Sequence, residues 1–597
     1  MNDARKNWGY LFALLCLSLP GLAQNPSPQP QNATPSSTQP VASFHAYTRI
    51  VTLEVVVKDR NNQHVSGMKP DDFKIFEQTP SINKERSTQK IASFREVHVA
   101  DLANQSAELK VPAGTYTNIV ALPKDPVPPT IILVDGLNTD IKDQAQIHVQ
   151  MLRMLRQLPP NVPVAVYLFG TGVTMLQDFT TDPHLLQIAL NKVLSPAGSK
   201  LAQVRPEDDS GTPGAVEQQL ASTGINGGMA GNVADTELQD MISAANFFDK
   251  QVYVSDMDMR VLRTLDALTY LTYRISGYPG RKNLLWFSSA FPFSVYAFAP
   301  ALGESPIARN YMSRLVKLSN LLSDAKIAVY PVDPAGVSSS VPADYLAESR
   351  PRDTTGPGLE GTLGREDEVA FQSKEVMHTL ADGTGGQVCA GDNDLGDCVH
   401  KAMDDSNEYY EIAYYSNSTE WNGQYRKVTL ETRQPHTHLA YRQGYYATPE
   451  GGSSPADQKA ELDAACNNTL DATGVFLIVR NLPPDSSDSL KYSLLINPAA
   501  LSVLPASDGS YGMNVSVVAC TFNQKGWPQK MLSYPVSRKL SNEQYHTLLS
   551  GGLTETIAVP DPKVGSVRLV VQDVPSGRIG SIYIDLAKQS AETPKKN

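Results

Sequence analysis

The sequence predicts a mixed α/β and β protein, in which a doubly wound parallel-sheet domain is flanked by antiparallel β-sandwich domains. The α/β prediction rests on residues 128–400, where apolar runs such as TIILVD alternate with amphipathic helical patterns. The β prediction rests on residues 44–100, 407–449 and 466–590, where short strand-like runs are separated by polar turns. A chain of 597 residues is also too long for one hydrophobic core, so several domains are expected.

The N-terminal residues predict export. Residues 1–23 carry basic residues, then an apolar run over residues 10–19, then the small residues Gly21 and Ala23, which is the pattern of a cleaved signal peptide. The apolar run is too short to span a bilayer, although an uncleaved anchor is an alternative. Residues 24–43 are rich in Pro, Gln, Ser and Thr and predict a disordered linker. We expect a periplasmic, cell-surface or secreted protein with no transmembrane segment beyond the signal sequence.

The net charge argues against one class of partner, and the cysteine content is informative about the compartment. The formal net charge of -11 argues against a nucleic-acid partner, which would need a basic surface. Four of the five cysteines follow the signal peptide, and in an oxidising compartment Cys389–Cys398 and Cys466–Cys520 are the candidate disulfides. Four free buried thiols are the alternative. No CxxC pair occurs, so neither a zinc site nor thioredoxin-type chemistry is indicated.

The α/β region divides into alternating elements. Its strands are expected at residues 130–135, 163–170, 281–292 and 326–336, with 173–179 as a hairpin partner. Its helices are expected at residues 143–158, 182–194, 235–276 (as one helix or two), 306–325 and 371–386, the last closed by Gly383. Residues 196–232, rich in Gly, Pro, Ser and Gln, predict a long insertion.

The β regions are each small. Residues 44–100 contain a few short strands, and three more are expected at 407–416, 423–433 and 438–447. Together they would make about seven strands, a normal sandwich size, so we expect residues 44–100 and 407–449 to join with the α/β domain inserted between them. Residues 101–127 read as a connector, residues 450–465 as a linker, and residues 466–590 as a separate C-terminal sandwich.

Polar side chains follow the predicted parallel strands at one edge of the sheet. In a doubly wound sheet, ligands bind outside the carboxyl ends of the strands. The residues expected at this rim are Asp135, Asn138, Thr139, Asp140, Ser288, Ser289 and Asp333. Asp135 ends the central strand, and the short oxygen-bearing side chains that follow it suit a hard cation.

Several segments then carry a family resemblance in order and spacing over about residues 44–449. They are VTLEVVVKDRNNQHVSGMKPDDFKIFEQ, IILVDGLNT, YPGRKNLLWFSSAFP, LADGTGGQV, and YYEIAYYSNS with its following strands. The layout resembles a von Willebrand factor type A domain, and more closely the VWFA-related family of exported bacterial proteins, often called the acidobacterial type. The C-terminal β region matches this resemblance more loosely.

The resemblance implies a degenerate metal-ion-dependent adhesion site. The family pattern is Asp-x-Ser-x-Ser on one loop, Thr on a second and Asp on a third. Asp135 matches the first Asp, Leu137 stands in place of the first Ser, and Thr139 can replace the second. Thr264 is the candidate on the second loop, and Ser288-Ser289-Ala290 replaces the expected Thr-Asp-Gly. Such a set implies weak Mg²⁺ or Ca²⁺ binding at most. The alternative is that Asp135 caps a helix or accepts hydrogen bonds from loop amides.

Function is predicted from this site and from the absence of catalytic motifs. No HExxH, GxSxG or P-loop occurs, so we do not expect an enzyme, and no cofactor is certain. We expect an exported protein-binding scaffold of adhesion type, whose strand rim and insertion at 196–232 meet a protein partner. The alternatives are an extracellular hydrolase with an unrecognised site and a structural component of an envelope assembly.

Overall fold

The strands of this protein assemble into five sheets within the described part of the chain. The structure, a computed structural model, describes residues 50–79, 86–98, 115–118, 128–139, 141–158, 161–193, 255–256, 258–288, 311–332, 377–389, 395–418, 420–448, 455–484, 489–560 and 564–586. The predicted signal peptide, linker 24–43 and insertion 196–232 therefore lie outside the described residues.

The described strands, in chain order, are β1 (Ile50–Lys58), β2 (Phe73–Gln78), β3 (Arg86–Gln89), β4 (Ile91–His98), β5 (Thr115–Thr117), β6 (Thr130–Asp135), β7 (Val164–Phe169), β8 (Val173–Thr180), β9 (Lys282–Phe287), β10 (Ile327–Val332), β11 (Glu408–Tyr415), β12 (Tyr425–Thr432), β13 (His438–Ala440), β14 (Gly444–Tyr446), β15 (Leu477–Leu482), β16 (Ser489–Ile496), β17 (Val503–Pro505), β18 (Tyr511–Phe522), β19 (Pro528–Leu540), β20 (Leu553–Pro560), β21 (Ser566–Asp573) and β22 (Ile579–Asp585). The described helices are α1 (Ile141–Gln157), α2 (Pro183–Val193), α3 (258–275), α4 (Met312–Asp324), α5 (377–384), α6 (Leu395–Asn407), α7 (Pro455–Asn467) and α8 (Asn542–Gly551). No helix in these ranges is both long enough and apolar enough to cross a membrane.

A five-stranded sheet forms the centre of the α/β region, in the order β10-β9-β6-β7-β8. β10, β9, β6 and β7 pair in parallel, and β8 joins the edge in antiparallel orientation as the predicted hairpin partner. Every residue of the four parallel strands is buried. This explains why these strands are apolar runs and not alternating patterns, since parallel strands inside a sheet are covered on both faces.

Two hydrophobic clusters cover the two faces of this sheet. Ile131 and Leu133 of β6 pack in a cluster with residues of α3, α4 and α5. Ile132 and Val134, which alternate with them, pack in a second cluster with residues of α1, α2 and α6. The period-two alternation of strand side chains thus places helices on both faces.

The strands before and after the α/β region pair with each other in two sheets. β1 pairs with β11, and β11 with β4, in a sheet ordered β13-β1-β11-β4. β2 pairs with β12 in a second sheet ordered β14-β12-β2-β3. The single strand expected at 438–447 is in fact two, because the chain leaves β13 in one sheet and enters β14 in the other.

The C-terminal region contains two further sheets around one core. Their orders are β20-β16-β15-β5 and β17-β18-β21-β22, with β19 also paired to β18. Two expectations are corrected here. The connector at 101–127 contributes β5 to the first sheet. The linker expected at 450–465 overlaps helix α7, whose Leu462, Ala465 and Cys466 are buried. β5 forms because it pairs with β15, and α7 forms because one of its faces packs against the C-terminal sheets.

The two predicted disulfides are confirmed. Cys389 and Cys398 are bonded with a Cα–Cα distance of 6.0 Å, and Cys466 and Cys520 with a distance of 5.8 Å. The first ties Cys389, whose backbone bridges in parallel to Val332 at the end of β10, to helix α6. The second ties helix α7 to the inner strand β18 of the C-terminal sheet.

Candidate functional site

The carboxylate of Asp135 lies at the carboxyl end of β6, the middle strand of the parallel sheet, and is fully buried. Its Oδ1 accepts hydrogen bonds from the backbone N–H of Leu137 at 3.1 Å and of Asn138 at 2.9 Å. This is the local arrangement by which an aspartate closes a turn over the residues that follow it. The backbone after β6 is therefore folded over the carboxylate.

The second oxygen of Asp135 joins this turn to the neighbouring strand. Its Oδ2 accepts from Asn138 Nδ2 at 2.8 Å, from Trp286 Nε1 at 3.2 Å and from Ser288 Oγ at 3.0 Å. Trp286 lies in β9 and Ser288 directly follows it. Five neutral donors thus surround the carboxylate, and they pin the loop after β6 to the end of β9.

Asn138 connects the same site to helix α3. Its Nδ2 also donates to Thr264 Oγ1 at 2.9 Å, and Thr264 Oγ1 donates to the carbonyl of Arg260 at 2.7 Å. Arg260 Nη1 in turn donates to the carbonyl of Leu137 at 3.2 Å. The structure therefore brings Thr264 near Asp135, but on a buried helix and not on a loop as expected.

Burial raises the pKa of Asp135 to about 6, while its hydrogen bonds from Asn138, Ser288 and Trp286 act in the opposite direction. A buried carboxylate without a cationic partner is costly, and neutral donors offset part of that cost. Folding is therefore coupled to protonation of Asp135, and this coupling falls at mildly acidic pH.

The site does not fit a divalent cation as its side chains are arranged. Both oxygens of Asp135 face N–H or O–H donors, and the amide nitrogen of Asn138 occupies the space between Asp135 and Thr264. The apolar Leu137, only 3% exposed, stands where a hydroxyl ligand would be needed. Among the described residues, no three His, Cys, Asp or Glu side chains group as metal ligands.

The predicted rim residues lie in different environments. Asn138, Thr139 and Ser288 are 5%, 4% and 0% exposed, so these side chains are buried and not displayed on an open rim. The physical reason is that Asn138 and Ser288 turn inward to donate to the buried carboxylate. Asp140, Ser289 and Asp333 lie outside the described residues.

Two members of the site were missed by sequence reasoning. The sequence places Trp286 within the strand predicted at 281–292 but gives it no role at the site. Its side chain lies on the same face of the sheet as Leu284, the face covered by α3. Arg260 is hidden in a helix with no motif around it. The signal that could have found Trp286 is strand register, because Trp286 pairs with Leu133 of β6, two residues before Asp135.

A second buried polar group lies at the start of β9. Arg281 and Lys282 are each 2% exposed. Arg281 Nη2 donates to the carbonyl of Gly385 at 2.5 Å, and Lys282 Nζ donates to the carbonyls of Tyr278 at 2.6 Å and Gly280 at 3.0 Å. Burial lowers the pKa of Lys282 to about 7. The two side chains donate to carbonyl groups after α3 and α5, which is a structural role.

No protein-family model and no curated protein matches this sequence. Solved structures that are similar include an aerotolerance-related membrane protein from Bacteroides fragilis, at 12% identity and a TM-score of 0.22, over 47% of this chain and 98% of that chain. A von Willebrand factor type A protein from Catenulispora acidiphila has 9% identity and a TM-score of 0.21, over 64% and 82%. A mutant of the PilB minor pilin from Streptococcus sanguinis has 10% identity and a TM-score of 0.23, over 59% and 86%. TM-scores this low do not establish a shared fold. The assignment of this chain as a mixed α/β protein with several β-sheets therefore rests on its own sheet order and burial.

Proposed function

We propose that this chain is an exported, non-catalytic protein-binding scaffold of adhesion type, built on a type A-like domain with a degenerate metal-ion-dependent adhesion site. The observation that carries the proposal is the environment of Asp135. A general base or nucleophile must reach its substrate, and this carboxylate is 0% exposed with both oxygens engaged. We therefore assign Asp135 a role in stabilising the fold, and we assign partner binding to the surface of the folded domain.

The proposed architecture is a doubly wound domain inserted into a β-sandwich made from residues 44–100 and 407–449, with a second sandwich at 466–590. The antiparallel pairing of β1 with β11 and of β2 with β12 supports the joined sandwich. Lys58 Nζ in β1 lies 2.6 Å from Asp405 of α6, which ties this sandwich to the α/β region through a buried ion pair. A rigid frame of this kind presents loops without large reorganisation on binding.

Export is supported by two features that do not depend on the site. Residues 1–23 have the pattern of a signal peptide. The two disulfides suit an oxidising compartment outside the cytosol. We place the protein partner at the strand rim of the α/β domain and at the insertion 196–232.

The test compares the mature chain with a variant that lacks residues 196–232 and with Asp135→Ala. Each is immobilised and exposed to exported proteins of the source cell, and captured partners are identified and titrated individually. The proposal expects a saturable partner that the deletion variant binds at least tenfold more weakly, with unchanged unfolding of the frame. Turnover of a substrate from a hydrolase panel, lost in Asp135→Ala, would instead support the extracellular hydrolase.

A further inference from the structure

Lys58 of β1 lies between two carboxylates of helix α6. Its Nζ is 2.7 Å from Asp404 Oδ2 and 2.6 Å from Asp405 Oδ1. Lys58 and Asp405 are 5% and 4% exposed, whereas the side chain of Asp404 is 48% exposed. An amine and a carboxyl group are therefore held in contact away from bulk water, with a second carboxylate on the solvent side.

The position of the two carboxylates makes their charge unfavourable. Both lie in the last turn of α6, which carries no basic residue. Negative charge destabilises the C-terminal end of a helix, because the carbonyl groups of the last turn already point outward there. Asp405 is also buried, so its charged form depends on the nearby cations Lys58 and Arg281. A neutral product would remove two buried charges from this junction.

The two contacts of Lys58 differ in geometry. Its Nζ donates a hydrogen bond to Asp404 Oδ2. Asp405 Oδ1 accepts no hydrogen bond within the described part of the chain, although Nζ lies 2.6 Å from it. Asp404 is therefore placed to exchange a proton with Nζ, and the carboxyl group of Asp405 is placed to be attacked by it.

We propose that Lys58 and Asp405 are a modification site, at which Nζ and Cγ join in an intramolecular amide bond with Asp404 as the proton carrier. Burial lowers the pKa of Lys58, but its contacts with Asp404 and Asp405 raise that pKa by a larger amount. Lys58 therefore begins as an ammonium group, and the reaction begins with transfer of its proton.

The reaction is a condensation that releases one water molecule. Asp404 accepts a proton from the ammonium group and passes it to Asp405, which leaves a neutral amine beside a neutral carboxylic acid. The Nζ lone pair forms a bond to Cγ of Asp405, Asp404 carries a second proton from Nζ to the departing hydroxyl, and the C–O bond breaks. The ammonium and the carboxylate become an amide and water, and Asp404 ends in its starting state. The positive charge of Arg281, which interacts with Asp405, stabilises the oxyanion that develops during attack.

The bond would join elements on either side of the α/β region. Lys58 lies in β1, before the parallel sheet in the sequence, and Asp405 lies in α6, after its last strand β10. Lys58 and Asp404 are 346 positions apart, so the amide would close nearly all of the intervening chain into one covalent loop.

The test is the mass of the purified full chain in denaturant, followed by protease digestion and tandem mass spectrometry. The expected mass is lower than the value calculated from the sequence, with both disulfides formed, by one water molecule. The digest should contain a branched peptide that joins Lys58 to Asp405. Lys539 and Asp508 are an internal control, because they lie 2.5 Å apart but are 69% and 52% exposed, and their peptides should remain separate.

Two variants separate the amide from other losses of water. Lys58→Arg keeps a cation between the two carboxylates, so the chain should fold, but arginine stays charged and should not form the bond. Asp404→Asn removes the proton carrier from a half-exposed position, and the branched peptide should fall at least tenfold. A parent chain at its calculated mass would overturn the proposal. A loss of water that persists in Lys58→Arg, or a branched peptide undiminished in Asp404→Asn, would overturn it as well.

Discussion

Gly277 and Thr473 are in direct contact where the α/β region meets the C-terminal sheets. The N–H of Gly277 donates to Thr473 Oγ1 at 2.9 Å, and Thr473 Oγ1 donates to the carbonyl of Arg274 at 2.7 Å. A Cβ at Gly277 would lie 2.5 Å from the carbonyl oxygen of Thr473 and 2.8 Å from Phe476 Cε1. The two regions are thus held by a contact too close for any side chain.

Replacing this glycine should loosen the junction. We expect Gly277→Ala to lower the free energy of unfolding by about 1–3 kcal/mol, because backbone atoms must move apart to admit a methyl group. Gly172→Ala is the control, since its added Cβ meets nothing within 4 Å. Urea unfolding of both variants is the measurement, and an equal effect at the two positions would refute the importance of the contact.

A second prediction concerns the ion pair between Glu77 of β2 and Arg426 of β12, in the sheet ordered β14-β12-β2-β3. Their side chains are 1% and 2% exposed and lie 3.2 Å apart. Tyr414 and Tyr445 hydroxyls each donate to Glu77 Oε2 at 3.1 Å. Glu77→Gln should cost about 3–5 kcal/mol, because it leaves the guanidinium uncompensated in the core.

The control for this prediction is an exposed pair in the same sheet. Arg86 and Glu431 lie 3.7 Å apart, and both side chains are 53% exposed. Glu431→Gln should change the free energy of unfolding by less than about 1 kcal/mol, because solvent screens the pair. Denaturant unfolding of both variants is the measurement. A similar loss of free energy of unfolding for Glu77→Gln and Glu431→Gln would contradict the distinction between the buried and the exposed pair.

The third prediction is a pH dependence that belongs to Asp135. Its pKa is raised from 3.8 to about 6 by burial, so the folded state keeps the proton at pH values where the unfolded state has lost it. The free energy of unfolding should therefore fall by about 3 kcal/mol as the pH rises through this window and become flat above it. Asp135→Asn should remove this slope, because asparagine does not titrate.

Asp135→Asn should also be destabilising at every pH. Its amide nitrogen must face either the two backbone N–H groups or the three side-chain donors that now point at oxygen. The difference in free energy of unfolding between the parent chain and Asp135→Asn should be largest at low pH. A difference that instead grows as the pH rises would show that the five hydrogen bonds lower the pKa of Asp135 more than burial raises it.

The fourth prediction compares the two disulfides. Their cysteines are 9 and 54 positions apart. On the chain-entropy model, removing Cys389–Cys398 should cost about 3 kcal/mol and removing Cys466–Cys520 about 4 kcal/mol. Paired Cys→Ala variants measured by thermal unfolding test this order. A larger loss on removing the shorter loop would mean that native packing, and not loop closure, sets the effect.

The parts of this fold that could be predicted are those with a local signal. TIILVD is a strand buried over its whole length, and its uninterrupted apolar residues alone predict a buried strand. Asp135 at its end was found for the same reason. The disulfides followed from cysteine number and spacing.

The parts that could not be predicted depend on distant residues. β5 is three polar residues long and exists because β15 accepts it. Helix α7 was masked by the Gly- and Ser-rich residues before Pro455, although Leu462 and Cys466 are four apart on one face. The donations from Asn138 to Thr264 and from Trp286 to Asp135 are tertiary contacts between distant residues, and no sequence pattern predicts them.

The central claim is that Asp135 is a buried structural acceptor and not a metal ligand or a catalytic group. Calorimetric titration of residues 24–597 with Mg²⁺ and with Ca²⁺, repeated on Asp135→Asn, tests it most directly. The account predicts no saturable heat in either protein, because five donors already fill the acceptor sites of the carboxylate. Saturable heat in the parent chain that disappears in Asp135→Asn would contradict it.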